Sequence, residues 1–468
     1  MKRDYFFEDG HIDQIREGAF KILEEIGVKL DRPKLIEIIA GKGFRTEGAF
    51  IKIDKETARK KIDSQRAERP KPKKEPLWTF ISPYSHAYEN IDGSFEAITS
   101  ESNAAMARFA VNAGGIWKSL GERSPIGATP PGHPREVAPE LQFFRQAVNG
   151  FVWCKNFSPL EPVSVKTAPH YFGLCEAMGR PVTSMPIYVS SPLNVANESF
   201  DVAYENRRRL SNVWVGSMPS LGATAPLNLI AAYSQTLAEN LGGAVVFEEL
   251  SGVPASFSVN LFGFDFYELT MPFGSPEKLL LEWINAEVNA RVCGNESDGP
   301  KGVDIHTNAP RCGIQACAEK ASLAAAGAML GATGMGCAGT LGMDELFSPV
   351  QLLLDLEILE HVQRVVDGMP LDEFEGDLIA EVRDGMKRGY VISDRTLDGM
   401  LDYVWRPRFF NRKSFGAFSE RPYPVETEKA RDFASDLLKK PPAYKIDDAS
   451  ELEAERIYSA AEKSLGLM

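Results

Sequence analysis

The sequence lacks most of the patterns that mark a familiar nucleotide, hydrolase or metal site. It has no Walker sequence, no GxGxxG after its first strand-like run, no GxSxG elbow and no HExxH. Nucleotide binding, dinucleotide binding, serine hydrolysis and zinc proteolysis therefore lose their usual support. Six cysteines in 468 residues are also too few and too irregularly spaced for a disulfide framework. This cysteine usage predicts a reducing, cytoplasmic location.

The chain is also short of positive charge. It carries 52 Lys and Arg against 65 Asp and Glu, which gives a formal charge of −13. Nucleic acids and anionic membrane surfaces are bound through basic faces, so neither is an expected partner. A cationic or zwitterionic small molecule suits this balance better.

A convincing hydrophobic membrane span is missing as well. Residues 322–343 carry no charge, but six of them are glycines, and glycine weakens a helix. We expect a helix end, a turn and a buried strand there rather than a membrane span. The N-terminus meets Asp4, Glu8 and Asp9 before any apolar stretch can form, which argues against a signal peptide.

Composition shifts along the chain predict four parts. Residues 1–64 show helical apolar spacing and form a predicted N-terminal helical cap. Residues 65–76 are charged and contain prolines, so they can bury little and read as a linker. Residues 77–348 form a predicted barrel domain, and residues 349–468 a C-terminal helical region.

The barrel prediction comes from short apolar runs that alternate with amphipathic stretches. Strands buried on both faces and separated by helices are typical of a parallel sheet, and their number favours a closed TIM (β/α)8-type barrel over an open α/β sheet. The predicted strands cover residues 78–82, 151–154, 184–191, 212–218, 255–260 and 302–306.

Aromatic residues dominate the ends of these predicted strands, where barrel enzymes place their chemistry. The most unusual segment follows Asn260 and crowds several rings into one loop. It is either a hydrophobic plug that packs back on the barrel or part of a lining for a quaternary ammonium, whose spread charge is held by ring faces. The predicted ring set is Trp153, Phe157, Tyr188, Phe264, Phe266 and Tyr267.

His306 is the predicted catalytic residue, because it ends the strand-like run GVDIH. A histidine is often a satisfied structural residue, but a strand end in a barrel favours a functional role. We expect His306 to hydrogen-bond a substrate carboxylate or to place the substrate. Asn308 and Arg311 follow closely and are predicted to help bind that carboxylate.

No metal site is predicted. Cys312 and Cys317 lie near each other in sequence, but no second cysteine or histidine pair at ligand spacing accompanies them. A zinc ion held by His306 together with Cys293, Cys312, Cys317 or Cys337 would need residues distant in sequence to converge.

Several segments together resemble the trimethylamine methyltransferase family, in its branch that lacks pyrrolysine. The order of these segments is the same along most of the chain, and the motif GATAP with a downstream GSPE is the most specific part. The matching segments are residues 22–30, PSLGATAPLNL at 219–229, GSPEKLLLEWINAEVNAR at 274–291, QACAEKA at 315–321, QLLLDLEILEHVQRVVDG at 351–368 and VWRPRFFNR at 404–412.

The resemblance implies a TIM barrel that passes a methyl group from a methylated amine to the Co(I) of a separate corrinoid protein. The chain lacks a DxHxxG pattern, so the cobalamin is expected on that partner and no cofactor on this chain. The pyrrolysine position of the family falls at or next to His306. With a plain histidine there, the expected substrate is a quaternary amine, glycine betaine first, with dimethylglycine as product. A homo-oligomer is also expected.

Three alternatives stay open from the sequence. The barrel could bind or sense a betaine without methyl transfer. It could act on another methylated amine, such as proline betaine, carnitine, choline or trimethylamine. It could also be a zinc-dependent methyltransferase that uses methanol or a thiol, although the cysteine spacing counts against this reading.

Overall fold

The computed structural model describes residues 5–65, 75–117, 120, 126, 128–293, 302–371, 373–420 and 424–467. Most of the predicted linker, residues 66–74, lies outside the described residues. The helices are α1 Asp9–Glu25, α2 Pro33–Gly41, α3 Lys55–Gln65, α4 Ser100–Gly114, α5 Pro139–Trp153, α6 Ala168–Ala177, α7 Glu198–Glu205, α8 Leu229–Ser251, α9 Pro276–Arg291, α10 Ile314–Met329, α11 Pro349–Asp367, α12 Leu378–Arg388, α13 Asp394–Tyr403, α14 Phe415–Glu420, α15 Glu426–Leu438 and α16 Asp448–Ser464.

The strands are short. They are β1 Val28–Lys29, β2 Arg45–Glu47, β3 Phe50–Lys52, β4 Trp78–Thr79, β5 Ala87–Glu89, β6 Phe95–Ala97, β7 Ser184–Val189, β8 Asn212–Ser217, β9 Ala255–Phe257, β10 Gly302–Asp304, β11 Gly334–Gly336, β12 Thr340–Leu341 and β13 Leu346–Phe347. The protein is therefore a mixed α/β fold, as the sequence predicts, and both of its terminal regions contain helices.

Two parallel sheets carry the strand ends that the sequence singled out. One has the order β7-β8-β9 and the other the order β10-β11-β4. The remaining sheets are an antiparallel β1-β3-β2 sheet beside the N-terminal helices and a mixed β12-β13-β5-β6 sheet. Strand pairing within the described part of the chain thus gives four small open sheets, and the predicted closed barrel is not confirmed.

The predicted strand at residues 151–154 is wrong, because its first three residues lie in α5. Pro139 sits in the first helical turn, where its missing N–H costs nothing. Leu141, Phe144, Val148 and Phe151 then follow at helical spacing and are all buried. Helical periodicity therefore overrides the β-propensity of the short aromatic run.

The N-terminal cap is joined to the β7-β8-β9 sheet through α8. This 23-residue helix is buried over most of its length, so it reads as apolar on all sides. A Cβ on Gly242 would lie 2.5 Å from a methyl group of Val28, and one on Gly18 would lie 2.5 Å from the Ser234 hydroxyl. Glycine thus lets the cap helix α1 and strand β1 approach α8 closely, and one hydrophobic cluster runs through both.

The C-terminal region divides into buried and exposed helices. Helix α11 has twelve buried residues and shares a hydrophobic cluster with β4, β10 and β11. Helix α16 packs against α5 and α6. By contrast, α12 and α13 bury no residue and expose apolar side chains such as Met386 and Leu401. Within the described part of the chain, no helix combines the length and apolarity needed to cross a membrane.

A buried ion pair ties α10 to α11. Lys320 Nζ lies 2.8 Å from Asp355 Oδ2, and both side chains are fully buried. Lys320 also donates to the Cys337 carbonyl at 3.2 Å, and the Gly339 N–H donates to Asp355 Oδ2 at 2.7 Å. Gln351 satisfies the other carboxylate oxygen at 2.8 Å. The pair therefore anchors the loop that follows β11.

We expect Asp355→Ala to lower the free energy of unfolding by about 3–5 kcal/mol, because it leaves the buried Lys320 charge without its partner. Urea denaturation followed by circular dichroism measures the change. The control is Asp384→Ala, which removes an exposed helical partner of Arg388 and should cost less than about 1 kcal/mol. Equal effects of the two substitutions would contradict the anchoring role of Asp355.

Candidate functional site

The loop between β11 and β13 has an unusual backbone. Cys337, Met343 and Asp344 adopt φ values of +64°, +62° and +86°. Non-glycine residues rarely take this left-handed conformation, which costs of order 1–3 kcal/mol and tends to occur at functional sites. The anchoring contacts to Asp355 and Lys320 compensate for this strain and fix where Cys337 points.

Three potential metal ligands converge beside this loop. One ligand atom each from Asp304, His306 and Cys337 lies within 4.8 Å of the others. The parallel register that pairs Asp304 with Gly336 explains the convergence, since Cys337 directly follows Gly336. His306 and Cys337 are buried, at 6% and 5% exposure.

Aromatic stacking and a carboxylate hold the His306 ring. Its face stacks on Phe273 with the ring centres 4.7 Å apart and the planes 20° from parallel. Its Nε2 lies 3.8 Å from Asp344 Oδ2. His306 therefore occupies the strand-end position that the sequence predicts, with its orientation set from two sides.

The Cys337 thiol is kept protonated in this environment. Burial raises its pKa well above the ordinary value, and the Asp304 and Asp344 carboxylates act in the same direction. A thiol of this kind is a poor nucleophile unless a nearby cation stabilises the thiolate.

A buried lysine lies on the other side of the cluster. Lys278 is 6% exposed and its ammonium lies 5.3 Å from the ring centre of Phe262 and 6.0 Å from that of Phe273. Burial opposes its charge, but the carboxylates of Glu282 and Asp304 outweigh this effect and raise the pKa of Lys278. Lys278 forms an ion pair with Glu282, so Asp304 and Asp344 leave the cluster with surplus negative charge.

Two tyrosines, Tyr84 and Tyr188, form a hydrogen-bonded group with the carboxylate of Glu161. The Tyr188 hydroxyl donates to Glu161 Oε1 at 3.0 Å, and Tyr84 hydrogen-bonds to Tyr188. Burial and the Glu161 carboxylate raise the pKa of the Tyr188 phenol. Of the predicted ring set, Tyr188 is the member that lies at a parallel strand end.

The structure does not bring the other predicted rings to His306. Phe264 and Phe266 pack edge to face at 5.2 Å, but Phe266 and Tyr267 are 54% and 97% exposed. Phe157 is buried in a different cluster against Phe151, and Trp153 contacts the cations of Arg108 and Lys445. Trp153 has other partners because it lies at the end of helix α5 and not at a strand end.

The predicted carboxylate binders also have other contacts. The Asn308 side chain accepts from the Gly274 N–H at 2.8 Å and donates to the Met271 carbonyl at 3.2 Å, so it fixes the loop before α9. Arg311 donates to the Gly93 carbonyl at 2.8 Å and covers the Phe95 ring. Neither guanidinium nor amide is among the groups that converge on His306.

Of the residues that surround His306, the sequence indicated Cys337 only as one of four cysteines that could converge on it, and Asp304 and Asp344 were missed. Asp304 lies two positions earlier on the same predicted strand, and the glycine-rich segment carries Cys337 and Asp344. Glycines spaced through residues 331–342 were the available signal, since such spacing marks a tight turn beside a buried strand.

Comparison with known proteins identifies the family. A family model described as trimethylamine methyltransferase (MTTB) matches residues 163–463, which is more than half of the chain. The chain belongs to the trimethylamine methyltransferase family. The match includes strands β7 to β11, His306 and the strained loop, whereas strand β4 lies before it.

Relatives of known name are distant members of this family. The trimethylamine methyltransferase MttB of Methanosarcina barkeri is 25% identical over 296 residues, which cover 62% of this chain and 58% of that protein. MttB of Desulfitobacterium hafniense is 29% identical over 223 residues, 46% of this chain and 43% of that protein. The matches thus span less than two thirds of the relatives' length.

Two solved structures are also similar. The monomethylamine methyltransferase MtmB of M. barkeri has 10% identity and a TM-score of 0.42, with 93% of this chain and 88% of that chain covered. The hydroxylamine complex of MtmB has 10% identity and a TM-score of 0.41 over 92% and 86% of the two chains.

We expect Gly336→Ala to disturb the cluster, because the added Cβ would meet Asp304 Oδ1 and would lie 2.6 Å from the Phe80 ring. Such overpacking costs about 1–3 kcal/mol of unfolding free energy. Thermal denaturation followed by circular dichroism measures it. The matched control is Gly399→Ala in α13, where no atom lies within 4 Å and the substitution should stabilise by about 0.5–1 kcal/mol. Stability unchanged in Gly336→Ala would show that Asp304 is loosely held.

Proposed function

We propose that this protein transfers a methyl group from a quaternary amine to the Co(I) of a separate corrinoid protein. Glycine betaine is the first expected substrate, and dimethylglycine would be the product. Family membership supports methyl transfer from a methylated amine, since the relatives are named trimethylamine methyltransferases. The remaining support comes from the charge of the site.

The surplus of carboxylates around His306 is the observation that carries the proposal. Asp304 and Asp344 lie beside His306, and Lys278 is already paired with Glu282. Glu161 adds a further carboxylate next to Tyr188. A buried cluster with this balance attracts a cation and disfavours an anion without a positive partner.

The proposed reaction does not require an acid–base pair among the side chains of the site. A quaternary ammonium carries a neutral tertiary amine as its leaving group, so displacement of the methyl group by Co(I) needs no general acid. The protein then has to orient the substrate and exclude water. His306 is proposed to place the substrate, and the tyrosines Tyr84 and Tyr188 to contact the trimethylammonium group.

We also propose that the two parallel sheets belong to one barrel. Tyr84 follows β4 and reaches Tyr188 at the end of β7, while Phe273, in the loop after β9, stacks on His306 after β10. The edges of the two sheets therefore approach each other at both sides. These contacts and the ladders support a barrel order of β7-β8-β9-β10-β11-β4.

The expected partners are part of the same proposal. The cobalamin would be carried by a cognate corrinoid protein, and no organic cofactor is expected on this chain. A homo-oligomer in the cytoplasm is likewise proposed. The exposed apolar side chains of α12 and α13 are the kind of surface that usually contacts another protein.

The decisive experiment mixes the protein with glycine betaine and a corrinoid protein reduced to Co(I). We expect the Co(I) absorption to give way to that of methyl-Co(III), and dimethylglycine to accumulate in equal amount. A panel with proline betaine, carnitine, choline and trimethylamine identifies the preferred substrate. Binding of a betaine without any spectral change, across corrinoid proteins that other methyltransferases methylate, would favour a sensing module instead.

We expect Asp344→Asn to weaken binding of the quaternary amine by about tenfold, roughly 1.4 kcal/mol, because it removes a carboxylate charge from the site. Asparagine tolerates the left-handed backbone of this position, so the fold should be kept. KM and kcat from the corrinoid assay report the change. Asp398→Asn, on the exposed face of α13, is the control. An unchanged KM in Asp344→Asn would remove Asp344 from the substrate site.

A further inference from the structure

We propose that Asp304, His306 and Cys337 bind a divalent transition metal ion, with zinc as the best fit, and leave one coordination position open. We further propose that the carboxylate of the methylated amine occupies that position. This second half rests on the proposed function, whereas the metal site itself does not.

The three side chains lie close to the geometry that a shared ion needs. Their ligand atoms lie within 4.8 Å of one another. Bonds from zinc to carboxylate, imidazole and thiolate are about 2.0–2.3 Å long, so the ligand atoms of a tetrahedral site lie about 3.3–3.8 Å apart. We expect rotation of the side chains to close this gap when the ion binds.

An unsatisfied nitrogen points to a missing ligand. Only 6% of the His306 surface is exposed. Its Nδ1 has no hydrogen-bond partner among the residues that the structure describes. Buried polar atoms of this kind normally have a partner, and each exception calls for an explanation such as an ion. Asp344 Oδ1, beside the same ring, is also without a described partner.

The chemistry of the ligands selects the class of metal. A thiol with an imidazole and one carboxylate suits zinc and other transition metals, whereas Mg²⁺ and Ca²⁺ prefer oxygen ligands alone. On binding, the Cys337 thiol loses its proton to solvent and a sulfur–metal bond forms. The thiolate and the Asp304 carboxylate then balance the charge of a divalent ion.

Surrounding residues would hold the ligands in place. The Lys320 ammonium fixes the Cys337 carbonyl at 3.2 Å, and Asp355 fixes the Gly339 N–H, so the strained loop presents its thiol in one conformation. Asp344 Oδ2 lies 3.8 Å from His306 Nε2, so a shift of about 1 Å would give the hydrogen bond by which carboxylates orient metal-bound histidines. The Lys278 ammonium forms an ion pair with Glu282, so it does not act as the counter-charge of the three ligands in place of a metal ion.

Three protein ligands with an open fourth position are typical of zinc sites that bind substrate rather than of structural sites. A carboxylate is a good ligand for that position. Sequence spacing gave no sign of the site, because its members come from two neighbouring strands, β10 and β11, and meet through their register.

The metal half is tested by equilibrium dialysis of the full chain against Zn²⁺, followed by metal analysis. We expect one tightly bound zinc per chain, and a loss of affinity of at least about a hundredfold in Cys337→Ala and in His306→Ala. Cys154→Ala, which removes another buried thiol that lies in a different hydrophobic cluster, should bind like the wild type. Circular dichroism confirms that each variant is folded.

The absorption spectrum of bound Co²⁺ is a second measurement, and it reports the identity of the ligands rather than the affinity. Co²⁺ bound to the wild type should show a thiolate-to-metal charge-transfer absorption, and Asp304→Asn should weaken it while Cys337→Ala abolishes it. The proposal is overturned if the wild type binds no more Zn²⁺ or Co²⁺ than Cys337→Ala does. It is also overturned if Cys154→Ala loses the metal equally.

Isothermal titration calorimetry tests whether the substrate carboxylate binds the metal, independently of whether the metal itself binds. Glycine betaine and choline both carry a trimethylammonium group, but choline has no carboxylate. We expect zinc to raise the affinity for glycine betaine at least about tenfold over the chelator-treated protein and to leave choline unchanged. Equal effects on both ligands would overturn carboxylate coordination. Absence of methyl transfer with zinc bound would instead count against the proposed function and leave the metal site standing.

Discussion

The buried pair of Lys320 and Asp355 is the interaction on which the candidate site depends. Two opposite charges in the protein interior are stable only with good geometry and full hydrogen bonding. Here two of the remaining bonds go to the loop after β11, and the third comes from Gln351 in α11. The pair thus converts a contact between α10 and α11 into a fixed position for Cys337. Without it, the left-handed residues of the loop would relax and the three converging side chains would separate.

Charge and register, rather than a ring of aromatic side chains, organise the site. The parallel alignment of β10 and β11 brings Asp304 beside Cys337, and the stack of Phe273 on His306 joins the neighbouring sheet. Membership of the trimethylamine methyltransferase family indicates a methylated amine as the ligand class to try first. The carboxylates around His306 give that proposal a physical basis in this chain, because they favour a cation.

Sequence periodicity indicates part of the fold. The apolar spacing of helices such as α9 and α11 is visible in the residues, and one short apolar run predicts a strand that ends at His306. A role of His306 in the chemistry stays a prediction. The run at 151–154 misled because four apolar residues fit either a strand or a helix. The partners of His306 were hidden, since the register of two strands sets them and no local pattern records it.

The residues with left-handed backbone after β11 lower the stability of the fold, yet two of them carry side chains of the candidate site. Glycine at Cys337, Met343 or Asp344 would adopt the observed backbone without strain. A search for more stable variants would therefore favour glycine at positions that carry a thiol and a carboxylate of the site. The thermal stability of the protein would then rise while the function of the candidate site fell. In a set of natural relatives, glycine at Cys337 or Asp344 would mark chains that have kept the fold and given up the chemistry.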